Sequence, residues 1–260
     1  MLACGWDYDQ IIPHERCRIN TLIFLSPSVL EYCNLSTKAA VLLPFNEHYR
    51  DQEALQGKLT VHLSNIDFAP GIHGEPGGAI VLEGDQYSYV EIEADEKINF
   101  DLSMTILCHI YPLLSQAGPI VHYKADDVEQ GGVMIWMQGN VGGKAQLMAR
   151  FKPRNAALST WMKAVVLNVG QWNFIGASYD HVTGWAFLYH DGVEVQAMYL
   201  GKNKNLATQY EIRIGAVGIS TLSKYKGRFA CLQLYSKALQ LHEIGAASDA
   251  CVPGLKSSVL

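Results

Sequence analysis

Three glutamates stand close together in the stretch Glu91-Ile92-Glu93-Ala94-Asp95-Glu96. Two carboxyl groups about 5–5.5 Å apart can cleave a glycosidic bond with retention, one as nucleophile and the other as acid and then base. Strand alternation puts Glu91 and Glu93 on one face, and Glu96 joins them only through a bulge. Ala94-Asp95-Glu96-Lys97 reads more simply as a polar turn. The expectation is a solvated strand end, with hydrolysis by Glu91 and Glu96 as the alternative.

Other residues suit binding better than catalysis. The loops Lys202–Asn205 and Lys152–Asn155 carry ammonium, guanidinium and amide donors fit for hydroxyls or acidic groups. Within the first, Lys202, Asn203 and Asn205 are the candidate ligand contacts. Trp136 and Trp161 offer flat ring faces on which a sugar ring stacks. His181 and His190 flank one predicted strand and could share an end of the fold as a metal pair. There is no G-x-S-x-G, no phosphate loop, and no assignable Ser-His-Asp set.

Composition narrows the classes. The 260 residues are 49% hydrophobic and 17% charged, which suits a packed domain rather than a disordered chain. The net charge of −5 and the lack of a basic stripe argue against nucleic acid. No apolar run is long enough to span a membrane, and no secretory leader is visible. The six cysteines, Cys4, Cys17, Cys33, Cys108, Cys231 and Cys251, show no C-x-x-C and no zinc spacing. They read either as buried thiols or as partners in disulfides. Asn34-Leu35-Ser36 is a glycosylation sequon.

The elements that must position these residues are strands. Residues 1–38 hold three cysteines and no sustained period. From Ala39 onward, short alternating runs are separated by turn signals. Strands are predicted at 39–45, 59–66, 79–82, 87–92, 102–111, 119–123, 133–138, 145–151, 164–168, 172–179, 185–190, 193–199, 211–215 and 228–235. Leu102, Met104, Ile106, Cys108 and Ile110 share one face of the fifth. Asp191-Gly192 predicts a type I′ hairpin. Leu239–Ala247 predicts one short helix. The expected fold class is all-β, a β-sandwich with a short C-terminal helix. Trp172, Trp185 and Phe187 are expected to face inward between the sheets.

The order of motifs resembles the laminin G-like jelly-roll domain, the concanavalin A-like sandwich shared with pentraxins. Gly78-Ala79-Ile80-Val81-Leu82-Glu83-Gly84-Asp85-Gln86-Tyr87 is similar to "G-x-A-hydrophobic-x-x-G-x-x-Y". Phe100–Ile106, Trp172–Asp180, Tyr189-His190-Asp191-Gly192, Ile214-Gly215-Ala216 with Tyr225–Phe229, and Leu234–Leu239 with Glu243-Ile244 continue the pattern. The resemblance covers roughly residues 39–251, with 252–260 as a tail. The head, Cys17 to Leu35, resembles the end of a PAN/apple module.

The resemblance implies further expectations. Related domains pair a cysteine of the last strand with one just after the terminal helix, which implies Cys231–Cys251; Cys108 is expected to stay a buried thiol. It implies calcium held by loop oxygens, with Asn46, Asp51, Asp85 and Asp180 as candidates; Asp126-Asp127-Val128-Glu129 is the one clustered acidic loop. It places the Glu91 motif at a sheet edge rather than on the concave central strands. The implied function is non-catalytic extracellular recognition of a glycan or a protein ligand, as one domain of a larger adhesion or matrix protein. The alternatives are a glycoside hydrolase of the same sandwich and a purely structural spacer.

Overall fold

Each short alternating run must bury one face and wet the other, and antiparallel pairing lets two such sheets share one core. The computed structural model describes residues 38–251 apart from 56–57, 115, 125–130, 142, 157–158 and 217–223. Cys4, Cys17, Cys33, the Asn34 sequon, Asp126–Glu129 and the tail 252–260 lie outside the described residues.

The described residues form two antiparallel sheets. In spatial order the first runs β13 (Val193–Tyr199), β12 (Trp185–His190), β11 (Asn173–Tyr179), β6 (Met104–Pro112), β15 (Lys226–Tyr235), β4 (Ala79–Glu83) and β3 (Asp67–Ala69), and β1 (Val41–Leu43) pairs with β15. The second runs β10 (Met162–Leu167), β9 (Lys144–Arg150), β8 (Met134–Val141), β7 (Gly118–Tyr123), β14 (Ile212–Ile214), β5 (Tyr89–Ile92) and β2 (Val61–Ser64). Helix α1 (Leu241–Ala247) follows the last strand. This is the jelly-roll sandwich that the motif order implied. Strand β3 was not foreseen; it starts directly after the predicted strand 59–66 and runs into Pro70-Gly71.

The core lies between the sheets. Met104, Ile106, Cys108, Ile110, Ile175, Ala177, Ala186, Leu188, Phe229 and Leu234 meet Val90, Ile92, Val121, Ile135, Met137, Leu147, Ala149, Ile212 and Ile214. Burying each Leu or Ile contributes about 1.5–3 kcal/mol. Cys108 is a buried free thiol whose pKa burial raises. Leu102 is exposed and precedes the strand.

The aromatic phase of β12 points the other way from expectation. Ala186 and Leu188 enter the core, so Trp185, Phe187 and Tyr189 stand on the outer face of the first sheet. Trp172 is also outside the inter-sheet core; it packs with Ala79 and Ala230 and sets its ring edge against Tyr111. The physical reason is volume. A strand apolar in both phases sends its smaller residues into a narrow gap when large ones from neighbouring strands already fill it.

Helix α1 lies on that outer face. Leu239, Ile244 and Ala247 cover Leu107, Phe174, Tyr189 and Tyr235. Its start is closed by Glu243, which accepts from the Gln240 N–H at 2.7 Å. Its end is tied by the Cys231–Cys251 disulfide, as the resemblance implied. Cys231 sits in a bulge of β15, at a backbone φ of 55°. Gln233 supports the same junction, donating to the Ala247 carbonyl at 2.9 Å.

A bridge closing a loop of this size stabilises by about 3 kcal/mol. The double variant Cys231→Ser/Cys251→Ser should lose about that much in urea denaturation. Adding reductant should shift the midpoint of the parent protein but not that of the variant.

Candidate functional site

The outward phase of β12 builds a row of rings. Trp185 and Phe187 lie 6.5 Å apart between centroids, and Phe187 and Tyr189 lie 6.3 Å apart, with interplanar angles of 26° and 28°. Strand geometry demands this, because residues two apart stand side by side on one face. On β13, Tyr199 is the register partner of Trp185 and meets it edge to face at 5.7 Å. Small neighbours leave room beside Phe187: Ala197 is its partner on β13 and Ser178 its partner on β11. The row runs from solvent to shelter. Trp185 is 43% and Tyr199 55% exposed, whereas Tyr189 is buried beside α1 with its hydroxyl 3.0 Å from that of Ser178.

Three loops meet where the row opens. The turn His181–Gly184 packs on Gly201 and Lys202; a side chain at Gly184, at φ 78°, would strike the Gly201 carbonyl carbon and Lys202 nitrogen at 2.6 Å. Leu200 donates to the Gly184 carbonyl at 2.9 Å. Tyr179 anchors the next loop from within, donating to the Gly201 carbonyl at 2.9 Å and accepting from the Lys204 N–H at 3.2 Å. The Lys152–Asn155 loop joins through the Arg154 N–H, which donates to the Asn205 carbonyl at 2.8 Å. Lys202, Asn203, Lys204 and Asn205 are all exposed. The two polar loops picked out in the sequence are thus neighbours, although Arg154 is spent as a staple on Asn99 and the Leu206 carbonyl.

Trp136 lies on β8 of the other sheet, and Trp161 directly precedes its strand β10. Each is half-buried, and Trp161 is covered by the Arg150 guanidinium 4.8 Å from its ring centroid. The outer face of this second sheet carries a row of its own at one level: Arg150, Met134, His122, Arg213, Glu91 and His62 are successive register partners across six strands. The Arg213 Nε donates to Glu91 Oε2 at 2.6 Å while its guanidinium lies 4.0 Å from the Tyr89 ring centroid.

The glutamates do not assemble as a retaining pair. Glu91 is held by Arg213, and Glu93 meets the His62 ring at 2.8 Å. The strand ends at Ile92; Asp95 then caps a 3-10 turn of Glu96–Ile98, so no bulge returns Glu96 to the sheet. Glu91 lies one strand in from the edge strand β2, rather than at the edge. The calcium candidates are likewise dispersed. Asn46 accepts from the Tyr49 N–H, and Asp85 from the N–H groups of Tyr87 and Ser88. Asp180 accepts from Val182, Thr183 and Ser103, and Asp51 lies in the exposed turn that follows Asn46. Among the described residues, no three His, Cys, Asp or Glu side chains group to hold a metal. His181 and His190 stand at opposite ends of β12; His190 is engaged by Asn173 at 2.9 Å.

A laminin G-type family model, described as the concanavalin A-like lectin/glucanases superfamily, matches residues 84–245. The chain belongs to that superfamily. Among solved structures, the binding domain of botulinum neurotoxin serotype G is similar with a TM-score of 0.63 at 14% identity, over 80% of this chain and 50% of that one. The binding domain of Paraclostridial mosquitocidal protein 1 is similar with a TM-score of 0.64 at 15% identity, over 80% and 51%. A heptameric SAP-like pentraxin from Limulus polyphemus is similar with a TM-score of 0.53 at 19% identity, over 67% and 83%. The chain spans about half the length of the two toxin domains, and at these identities the likeness is one of fold. No curated protein matches the chain.

Two histidines of this superfamily member carry an acid-labile charge state. His122 is fully buried, neither ring nitrogen has a partner, and burial beside Arg150 and Lys124 lowers its pKa to about 3. His109, its ring tilted against Phe174 at 4.7 Å, is lowered by burial to about 4. The unfolded chain binds these protons near pH 6.5, and the folded one resists them. Their stabilising contribution is therefore complete above pH 6.5 and lost as pH falls towards 4. Each should add about 1.4 kcal/mol per pH unit to the slope of unfolding free energy in that window. His122→Leu should remove about half of this part of the slope, as read by urea denaturation at stepped pH.

Proposed function

We propose that this chain is a non-catalytic recognition module that binds a glycan at the open end of the Trp185 row. The observation that carries the reading is the exposed Trp185–Tyr199 pair, set on rigid strands and bordered by Lys202, Asn203 and Asn205. An aromatic face matches the C–H groups of a sugar ring, and adjacent amides and ammonium groups match its hydroxyls. Contiguous exposed apolar surface of this kind marks ligand sites rather than ordinary protein surface. Structures similar in fold include a botulinum neurotoxin type G receptor-binding domain, which supports a binding role in the same architecture. The disulfide fits an oxidising, extracellular setting. Glu91 belongs to the frame in this reading, because Arg213 neutralises it.

The test is a glycan array read in calcium and again in chelator, with the parent protein and Trp185→Ala. Saturable binding that falls at least tenfold in Trp185→Ala is expected, since a half-exposed Trp anchor dominates a small interface. Loss on chelation would add calcium at the loop oxygens. A glycan-silent protein, or hydrolysis of an array glycan that Glu91→Gln abolishes, would overturn the reading.

A further inference from the structure

The open end of the aromatic row has a charge of its own. The chain as a whole carries −5, yet the exposed loop bordering Trp185 and Tyr199 presents Lys202 and Lys204. Two acids of the adjoining turns face their own partners rather than the lysines. Both Asp180 oxygens accept hydrogen bonds within its own turn, Oδ1 from the Val182 N–H at 3.0 Å and Oδ2 from the Thr183 hydroxyl at 2.7 Å. The Ser103 hydroxyl adds a third contact to Oδ1 at 3.5 Å. Asp101 faces the Arg154 guanidinium at 3.7 Å. The opposite end of the row is different: Glu194 is the register partner of Tyr189 and is exposed. The surface is therefore polar along its length, cationic where the rings are open and anionic where they pass beneath α1.

The loop that holds the lysines is fixed. Gly201 and Asn203 take left-handed backbone angles of 96° and 56°. The Asn203 N–H donates to the His181 carbonyl at 2.9 Å, and the Lys204 N–H to Tyr179 Oη at 3.2 Å. A rigid loop loses little entropy when a ligand engages it, so two lysines at fixed roots beside an aromatic platform select by charge as well as by shape.

Resting on the glycan reading above, we infer that the ligand is an acidic glycan, its sugar ring on Trp185 and its carboxylate or sulfate at Lys202 and Lys204. Glu194 disfavours the reversed orientation and so sets the direction in which the chain of sugars lies. A neutral glycan keeps the stacking and hydroxyl contacts but gains no ion pair.

The experiment compares a sulfated polysaccharide, a uronic-acid polysaccharide and a neutral glucan of equal length, by calorimetry at low and high salt. Both acidic polymers should bind at least tenfold more tightly than the glucan at low salt, and the advantage should shrink as salt screens the charges. Lys202→Ala/Lys204→Ala should weaken the acidic polymers about tenfold, as expected of two exposed ion pairs, and the glucan much less, since it loses only hydroxyl contacts. Glu194→Lys should strengthen them several-fold. These positions are exposed, and unchanged thermal midpoints would show that the variants fold. Equal binding of all three polymers, lost in Trp185→Ala, would overturn the acidic ligand and leave the glycan site standing. Binding to none would overturn both. Preference for phosphatidylserine–phosphatidylcholine vesicles over every polymer, abolished by replacing exposed Val182 with Asp, would make the site a lipid contact and overturn the inference.

Discussion

The gap between the two sheets is the constraint on which the rest of the molecule depends. It is closed by alternate residues of fifteen short strands, and every position that enters it commits its neighbours to the outside. Once Ala186 and Leu188 occupy the core, Trp185, Phe187 and Tyr189 have one place left to go. The aromatic row is thus a consequence of core packing. Its rigidity comes from the same source, since β12 is paired on both sides along its length.

Two devices then divide the outer face. Helix α1, held by the Cys231–Cys251 bridge and by Gln233, shelters Tyr189, Phe174 and Leu107. It stops short of Trp185 and Tyr199, which stay open. At the open end, Asp180 and Tyr179 turn their polar groups onto the local loops, so lysines and amides are the groups left facing solvent. A solvent-facing recognition surface results from polar groups that turn inward to brace loops and apolar groups that turn outward because the core is full.

The second sheet follows another logic. Its outer row of Arg150, His122, Arg213, Glu91 and His62 is ionisable almost throughout, yet Glu91 and Arg213 satisfy each other. His122 is buried without a partner, at the cost that any unsatisfied polar group carries in a protein interior. That cost is tolerable because the imidazole stays neutral, its proton opposed by burial and by Arg150. The chemistry of this face is spent on holding the sheet, which is why the glutamate cluster does not form the paired carboxylates that its spacing suggested.

Much of this was legible in the sequence. Alternation located nearly every strand, Asp191-Gly192 located its hairpin at φ values of 49° and 75°, and the motif order implied the superfamily and the disulfide. The Lys202–Asn205 loop was legible as polar and exposed. What could not be read was the facing of β12, since Trp-Ala-Phe-Leu-Tyr is apolar in both phases and period two says only that the phases part. Nor could local sequence tell that Trp136 lies on the other sheet, or that Asp180 accepts from Ser103 as well as from its own turn. Sequence determines which residues alternate, because the pleat is a local property of the backbone. Tertiary structure alone decides which phase is buried, because that depends on the volume left by strands far away in the chain.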